Sequence, residues 1–304
     1  MEIGAYIEAN RGALAAWATE ICDVISSEHG SLLKVPAAWR VKDVGSARAK
    51  QLKKSYADPS KEMTDLVGLR FVVLTSDDLV PIRTSLEKNA GWKCKKTRDP
   101  NLEIADAPTM FGYQSHHYEL RPQDESRERW CCEVQVRTLL QHTVAELSHD
   151  AMYKATQGVP SQAQRLVARS MALMETTDEL LCRAMEAVRD AQEPARRLAK
   201  SARKATRLLD GCDSADLMDD LMGVYSKGIT SQSEASFQAF LSANGFVLDK
   251  LRTRQGKGLF AFPAVSLISY WLVHDLERKA KRDWPFPGCD SDLQLIFSDL
   301  GIVY

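Results

Sequence analysis

Two short segments of the sequence place carboxylates and arginines where a β-strand would hold them on one face. Residues 133–138 read Glu-Val-Gln-Val-Arg-Thr, and side chains on a strand alternate between its two faces. The two valines therefore point toward a core, whereas Glu133, Gln135 and Arg137 form a polar row on the opposite face. A carboxylate and a guanidinium on one face are suited to binding a metal ion and an anion.

The segment at residues 65–74 repeats this design. Its apolar side chains fall on one face of a predicted strand, Arg70 lies on the other face, and Asp65 precedes the strand. Two carboxylates, each followed by an arginine, suggest a site for magnesium and a nucleotide, because Mg²⁺ takes one or two carboxylates together with substrate phosphates. Two ordinary half-polar strands would show the same alternation, so these segments alone leave both interpretations open.

Further motifs surround these two segments in a fixed order along the chain. They are Arg40-Val41-Lys42, Asp65-x-x-Gly68-x-Arg70, Gly112-Tyr113-x-Ser115-x-His117, Glu133-x-Gln135-x-Arg137-Thr138, and His142, His149 and Tyr153-Lys154. Each motif alone carries little information, whereas their order over one stretch is specific. In these residues, from about residue 30 to residue 195, the chain resembles the RelA/SpoT-type pyrophosphokinases, the synthetase domains of enzymes that make guanosine tetra- and pentaphosphate.

The resemblance implies roles for residues on the metal and donor side of a site. It makes Asp65 and Glu133 the ligands of Mg²⁺, and Glu133 also the residue that activates the ribose hydroxyl of the acceptor. Together with Arg70, these two carboxylates are the predicted catalytic residues. The implied ATP-binding residues are all cations: Arg40, Lys42, Lys50 and Arg70. Arginine can stack on adenine and chelate phosphate oxygens, and lysine acts as a point charge.

The resemblance also implies an acceptor side. Tyr113 would stack on the guanine of the acceptor, since an aromatic ring next to the flexible Gly112 is suited to stacking on a base. His117 would lie near the acceptor phosphates, and Gln135 is predicted to contact the acceptor as well. On the following helix, His142, Glu146, His149 and Tyr153 are predicted to form a polar face that lines the nucleotide cleft.

The acceptor side departs from the family pattern. Members that bind guanine nucleotides carry Pro-Lys-x-Asn before Gly-Tyr, whereas residues 108–111 here are Pro-Thr-Met-Phe, and Gln114 stands where arginine is common. Lys95, with its neighbours Lys96 and Arg98, could replace the lost charge and is included among the predicted acceptor-binding residues. The same cations could equally protect a solvated edge strand.

Three functions follow as alternatives. The first is transfer of the β,γ-pyrophosphate of ATP to the 3′-hydroxyl of GDP or GTP, and it is preferred. The second keeps this donor chemistry but uses an adenine nucleotide or the 3′ end of tRNA as acceptor, as growth-arresting toxins of the family do. The missing lysine and the basic segment at residues 196–207 favour it. The third, a catalytically silent nucleotide sensor, is disfavoured because Asp65, Arg70, Tyr113 and Glu133 are all present.

The predicted fold class is α+β, a small mixed, mostly antiparallel sheet flanked by helices in a nucleotidyltransferase-like arrangement. The predicted strands are 69–74, 92–97, 116–121 and 131–137, and the predicted helices are 5–28, 46–56, 77–88, 138–155 and 161–192, with a loop at 98–111. Residues 1–195 form the predicted synthetase domain. Residues 196–304 form a mainly helical extension without a recognised role, including a hairpin near 251–261 and a helix at 263–281.

Composition narrows the class of protein. With 304 residues, the chain has room for two domains of ordinary size, and its net charge of −1 argues against general nucleic-acid binding. The sequence contains no secretory signal, no apolar run that could span a bilayer and no Cys-x-x-Cys spacing. These features predict a cytoplasmic protein without membrane contact that uses Mg²⁺, ATP and GDP or GTP, with tRNA as the alternative acceptor and an oligomer allowed.

Overall fold

The computed structural model describes residues 2–112, 114–148 and 158–304. The chain divides into two compact units, Met1–Ala184 and Met185–Tyr304.

The first unit is built on a five-stranded mixed sheet. Its strands are β1 (Leu33–Val41), β2 (Val67–Val73), β3 (Trp92–Arg98), β4 (His116–Pro122) and β5 (Cys132–Thr138), and their spatial order is β1-β2-β5-β4-β3. Strands β2 and β5 run parallel, and the other neighbouring pairs run antiparallel. The helices are α1 (Ile3–His29), α2 (Val44–Lys53), α3 (Pro59–Glu62), α4 (Leu79–Lys88), α5 (Pro100–Asp106), α6 (Leu139–Ser148) and α7 (Ser161–Thr206). This architecture confirms the predicted α+β class.

One face of the sheet forms the core of the first unit. Trp17 and Ile21 of α1 and Ile82 of α4 pack in one cluster with inward side chains of the strands, among them Phe71 and Val134. The alternating burial of β2 and β5 follows from this packing, because every second side chain points into the cluster. The polar side chains between them are therefore left on the opposite face.

Several sequence predictions for local structure were wrong, including the single helix predicted at 263–281, which is divided into two helices at Leu276. Strand β1 was not predicted, because Pro36 interrupts it. β1 lies at the edge of the sheet, where a missing N–H is tolerated. The predicted loop at 98–111 contains α5, whose first turn is capped by Asp99 and begins with Pro100. The predicted hairpin near 251–261 is instead the end of a helix followed by a 3₁₀ turn, Gly258–Ala261.

The second unit is helical throughout the residues that the structure describes. After the end of α7 come α8 (Ala215–Tyr225), α9 (Ser233–Ala243), α10 (Phe246–Thr253), α11 (Pro263–Asp275), α12 (Glu277–Arg282) and α13 (Asp290–Asp299). Helix α11 is buried along its length from Pro263 to Val273, and the other helices pack around it in one apolar cluster. Helix α7 runs through Pro194 instead of ending near residue 192, because Leu198 and Ala202 beyond the proline are fully buried in this cluster. No helix in the described part of the chain is long and apolar enough to cross a membrane.

A buried ion network in the second unit gives a stability prediction. Asp299 is 5% exposed and accepts hydrogen bonds from both terminal nitrogens of Arg254 and from the Tyr270 hydroxyl, with Lys250 Nζ at 3.1 Å. Burial alone would raise the pKa of Asp299, but these donors together hold it below its ordinary value. Because Asp299→Asn leaves a partly buried guanidinium without its counter-ion, we expect a loss of about 3 kcal/mol of unfolding free energy near neutral pH.

Denaturant unfolding measures this loss, with Asp249→Asn as the matched control. Asp249 pairs with Arg252 at the surface, so its substitution should cost under about 1 kcal/mol. A group with a depressed folded-state pKa contributes stability above its unfolded pKa and loses it as the pH falls through the folded value. The difference between wild type and Asp299→Asn should therefore shrink below about pH 4. Equal costs for the two variants would contradict this assignment.

Candidate active site

The sheet register brings the predicted site residues together on the polar face. One row across the strands contains Arg40, Gly68, Glu133, Glu119 and Lys95, in the order β1, β2, β5, β4, β3. The next row contains Ala38, Arg70, Gln135, His117 and Arg98. Directly opposite residues share a face of the sheet, so five strands that are distant in sequence contribute to one polar surface.

Asp65 forms ion pairs with two of the predicted ATP-binding lysines. Lys42 Nζ lies 2.7 Å and Lys50 Nζ 2.9 Å from Asp65 Oδ2. Burial disfavours the charged form of Lys50, but Asp65 outweighs it and the pKa of Lys50 is raised. The other carboxylate oxygen, Asp65 Oδ1, is buried without a hydrogen-bond partner among the described residues. A buried carboxylate oxygen without a donor is costly unless something else binds it.

Glu133 forms the second acidic centre of this face. Gln135 Nε2 donates to Glu133 Oε1 at 2.9 Å, and His117 Nδ1 lies 3.4 Å from the same oxygen. The hydrogen bond from His117 lowers the pKa of Glu133 to about 2, with Gln135 and Lys50 contributing, although burial acts in the opposite direction. Glu133 is therefore a carboxylate throughout the neutral pH range, as a metal ligand must be.

Arg70 and Arg137 converge on one residue of α6. Arg70 Nη1 lies 2.8 Å and Arg137 Nη2 3.1 Å from Glu146 Oε1. His142 lies on the same side of α6, and its pKa is lowered by burial and by the two arginines, so it is neutral near pH 7. The sequence predicted that His142 and Glu146 share a face, but it did not identify the pairing of Glu146 with Arg70, which joins positions 76 residues apart.

Arg40 lies over Gly68 at the β1 side of this surface. A Cβ atom on Gly68 would lie 3.8 Å from Arg40 Cγ and 3.9 Å from Arg40 Nε. The Arg40 side chain therefore lies close above the backbone of β2, in the same row as Glu133. Its exposed guanidinium is available to stack on a base or chelate phosphate.

The predicted acceptor residues are only partly described. Tyr113 lies outside the described residues, whereas His117 and Gln135 both contact Glu133. His149 and Tyr153, which were predicted to line the nucleotide cleft, also lie outside the described residues. Lys95 is exposed and lies opposite Glu119 in the row that contains Glu133.

The neighbours of Lys95 have other partners. Lys96 pairs with Glu87 and Asp99 at 3.2 Å, and both ends of the Arg98 fork bind Glu103 at 2.7 Å. Of the three cations considered from the sequence, Lys95 is thus the one without an ion pair among the described residues.

The donor set fits Mg²⁺ better than a metal held by protein alone. Asp65 offers a buried oxygen without a partner among the described residues, and both Asp65 and Glu133 act electrostatically on Lys50. Within the same part of the chain, no cluster of three or more His, Cys, Asp or Glu could hold a metal. Mg²⁺ binds through one or two carboxylates and completes its shell with water and substrate phosphates, so two carboxylates are enough.

The basic segment at residues 196–207 covers the end of α7 and Arg207 just beyond it, and neighbouring carboxylates partly neutralise its charge. Arg197 pairs with Glu193 at 2.9 Å, and Arg203 pairs with Asp213 at 2.9 Å. Arg196, Lys200 and Lys204, together with Arg197 and Arg203, line a groove of about 1060 Å³ within the second unit, between α7 and α8. Asp219 and Glu234 line the same groove, so its charge is mixed.

Comparisons with known proteins identify a similar sequence region and a similar fold. Residues 39–158 match the family model described as a region found in RelA/SpoT proteins. Small alarmone synthetase 1 from Bacillus subtilis is 23% identical, with 61% of this chain and 97% of that chain covered at a TM-score of 0.51. Its complex with the product pppGpp gives 22% identity, coverages of 60% and 96% and a TM-score of 0.51. Small alarmone synthetase 2 from the same organism is 21% identical, with 61% of this chain and 99% of that chain covered at a TM-score of 0.51. A search among curated proteins found no match.

The motif order, the family match and the sheet with its polar face agree with one another. Residues 39–158 therefore contain the region found in RelA/SpoT proteins, and the fold is similar to that of the small alarmone synthetases.

Proposed function

We propose that the first unit transfers the β,γ-pyrophosphate of ATP to the 3′-hydroxyl of GDP or GTP, which yields (p)ppGpp. The observation that carries this proposal is the convergence of two carboxylates around Lys50: Asp65, which binds Lys42 and Lys50, and Glu133, which contacts His117 and also acts electrostatically on Lys50. This face lies within the region that matches the RelA/SpoT family. A relative with the same fold is bound to pppGpp, which supports nucleotide substrates.

The proposed reaction needs positioning and charge neutralisation more than covalent help from the protein. The 3′-oxygen of the acceptor attacks the β-phosphorus of ATP, the bond between that phosphorus and the α-phosphate oxygen breaks, AMP leaves, and the hydroxyl proton passes to solvent or a nearby base. Asp65 and Glu133 would hold Mg²⁺, which supplies charge neutralisation for the phosphates. Lys42, Lys50 and Arg70 add fixed positive charge on the donor side.

Glu133 is better suited to binding metal than to accepting a proton. A general base works best when its pKa is near the working pH, whereas the pKa of Glu133 is about 2 in the free protein. We therefore assign Glu133 to metal binding and to accepting a hydrogen bond from the acceptor hydroxyl. Binding of Mg²⁺ would lower its basicity further, because a cation favours the charged carboxylate.

The acceptor can be identified by following the label from ATP. The protein is incubated with γ-labelled ATP and Mg²⁺ and, in separate reactions, with GDP, GTP, ADP and deacylated tRNA. We expect label in a guanosine tetra- or pentaphosphate. Label transferred to ADP or tRNA would support the alternative in which the acceptor is an adenine nucleotide or tRNA. No transfer to any acceptor would favour a silent nucleotide sensor.

Tyr113 gives a prediction specific to the acceptor. Stacking of a base on an aromatic ring is worth roughly 1–3 kcal/mol, so Tyr113→Ala should raise the acceptor KM about tenfold or more. The KM of ATP should change by less than about twofold, since the ring is assigned to the other substrate. Tyr113→Phe is the matched control, because it keeps the ring. An equal loss for ATP would move Tyr113 to the donor side or to a structural role.

The groove cations give a prediction that separates nucleotide from RNA acceptors. If RNA binds there, counterion release makes affinity fall steeply with salt. Changing Arg196, Arg197, Lys200 and Arg203 together to Gln would then flatten the salt dependence and reduce tRNA modification. If the acceptor is GDP or GTP, the same changes should alter transfer by less than about twofold, because exposed cations contribute little.

A gel shift with tRNA at low and moderate salt makes this measurement. The control carries four Gln substitutions at other exposed cations of the second unit: Lys227, Arg252, Lys257 and Arg278. This control variant loses the same number of positive charges. No shift of wild-type protein at either salt would exclude RNA binding by this segment. Equal effects of both quadruple variants would show that tRNA binding depends only on the net charge of the protein.

A further inference from the structure

The end of strand β5 is tied to α6 by a reciprocal pair of hydrogen bonds. The Thr138 N–H donates to Gln141 Oε1 at 3.0 Å, and the Gln141 N–H donates to Thr138 Oγ1 at 3.1 Å. This is a capping box, in which a threonine and a glutamine three residues later satisfy the backbone donors at the start of a helix. Both residues are buried, at 0% and 7% exposure. The box follows directly after Arg137, so it fixes the end of the strand that carries Glu133 and Gln135.

Two carboxylates of α7 extend this box in opposite directions. The Thr138 hydroxyl donates to Asp178 Oδ2 at 2.7 Å, and Asp178 is only 3% exposed. On the other side, Gln141 Nε2 donates to Gln114 Oε1 at 3.4 Å, and Gln114 Nε2 donates to Glu175 Oε2 at 2.8 Å. One chain of hydrogen bonds thus joins β5, α6 and α7 to the segment that carries Gln114.

The hydrogen-bond network matters for the acceptor side because it ends at Gln114. Gln114 follows Tyr113, the predicted stacking residue, and stands where arginine is common in the family. Its amide oxygen and nitrogen both bond inward, to Gln141 and Glu175. The next residue, Ser115, is fully buried. A side chain whose donor and acceptor are both engaged inside the protein is a support for its segment and is not presented to an acceptor phosphate.

We propose that Glu175 is a positioning residue, which acts through Gln114 to hold residues 114 and 115, just before β4, and thereby sets the affinity for the acceptor nucleotide. The proposal rests on the transfer activity proposed above and adds the part of the chain that orders the acceptor side. The hydrogen bond between the Gln114 amide and the Glu175 carboxylate holds residues 114 and 115 in place before the acceptor binds, so binding loses less conformational entropy. Loss of this support should weaken the acceptor and leave the donor side unchanged, because Lys42, Lys50 and Asp65 take no part in the network.

Steady-state kinetics of five variants of the full chain test this proposal. Glu175→Leu and Gln114→Leu remove the hydrogen bond, and each should raise the KM of the acceptor about tenfold, with kcat and the KM of ATP within about twofold. Glu175→Gln keeps an oxygen that can accept from Gln114 and should rescue most of the affinity. Glu179→Leu is the matched control on α7, because Glu179 pairs with Arg183 at the surface. The double variant Gln114→Leu/Glu175→Leu should be no worse than Gln114→Leu alone, since that substitution already removes the hydrogen bond to Glu175.

Hydrogen–deuterium exchange provides a readout that does not depend on turnover. Glu175→Leu and Gln114→Leu should speed exchange in peptides covering residues 108–118 and leave those of β5 unchanged, whereas Glu179→Leu should change neither. Transfer by wild type with an unchanged acceptor KM and unchanged exchange in Glu175→Leu would overturn the proposal. Equal rises in the KM of ATP and of the acceptor would show that Glu175 has only a general structural role, and this result would also overturn the proposal. Absence of transfer by wild type would instead overturn the proposed function. In that case, faster exchange in Glu175→Leu would still show that Glu175 stabilises the residues around Gln114.

Discussion

Glu133→Gln is expected to reduce pyrophosphate transfer by about a thousandfold or more without unfolding the protein. The substitution keeps the shape of the side chain and removes its charge, which the site holds in place with His117 and Gln135. Loss of a carboxylate that binds a catalytic metal removes several kcal/mol of transition-state stabilisation, and each 1.36 kcal/mol corresponds to about tenfold in rate. Initial rates with saturating ATP and acceptor measure the effect.

The neighbouring strand supplies the matched control for Glu133. Glu119 lies opposite Glu133 in the register of β4 and β5, on the same face of the sheet. Because Glu119 is not part of the proposed metal site, Glu119→Gln should retain transfer within about fivefold. Thermal unfolding of both variants separates an effect on catalysis from an effect on folding. A rate for Glu133→Gln within about threefold of wild type would remove Glu133 from the catalytic residues.

Asp65→Asn is expected to cause a loss of similar size. One oxygen of Asp65 binds both Lys42 and Lys50, and the other is buried and available to a metal. The amide cannot replace a charged ligand, and it leaves the two lysines without their counter-ion, so the pKa of Lys50 should fall from its raised value. Titration of the residual activity with Mg²⁺ should show a weaker apparent affinity for the metal in addition to the lower maximal rate.

Asp43→Asn is the control for this prediction. Asp43 caps helix α2, which carries Lys50, by accepting from the Ser46 N–H at 2.9 Å. Asparagine caps helices about as well as aspartate, so this variant should keep both its stability and its Mg²⁺ response. If Asp65→Asn lost rate with an unchanged Mg²⁺ dependence, Asp65 would act only by holding the two lysines.

The sequence predicted the central strands because their patterns are local. In β2 and β5, apolar and polar side chains alternate so regularly that the residue pattern alone assigns both the core face and the polar row. Edge strand β1 was missed because Pro36 weakens its pattern, although it carries Arg40. Helix α5 was missed because its stability depends on the cap from Asp99 and not on an apolar repeat.

The contacts that complete the site could not be predicted from the sequence, for a different reason. Glu146 lies 76 residues from Arg70, and Glu175 lies 61 residues from Gln114. Both glutamates are on helices whose patterns reveal a polar face but not the partner that it meets. Pairing across such separations is set by packing of the whole unit, and single-sequence patterns carry no record of it.

Transfer of label from two differently labelled ATP molecules tests whether the protein transfers pyrophosphate. With γ-labelled ATP and GDP or GTP, we expect labelled guanosine tetra- or pentaphosphate. With α-labelled ATP, we expect label only in AMP, formed in equal amount to the product. Label from γ-labelled ATP in inorganic phosphate alone, or ADP in place of AMP as the nucleotide product, would contradict pyrophosphate transfer.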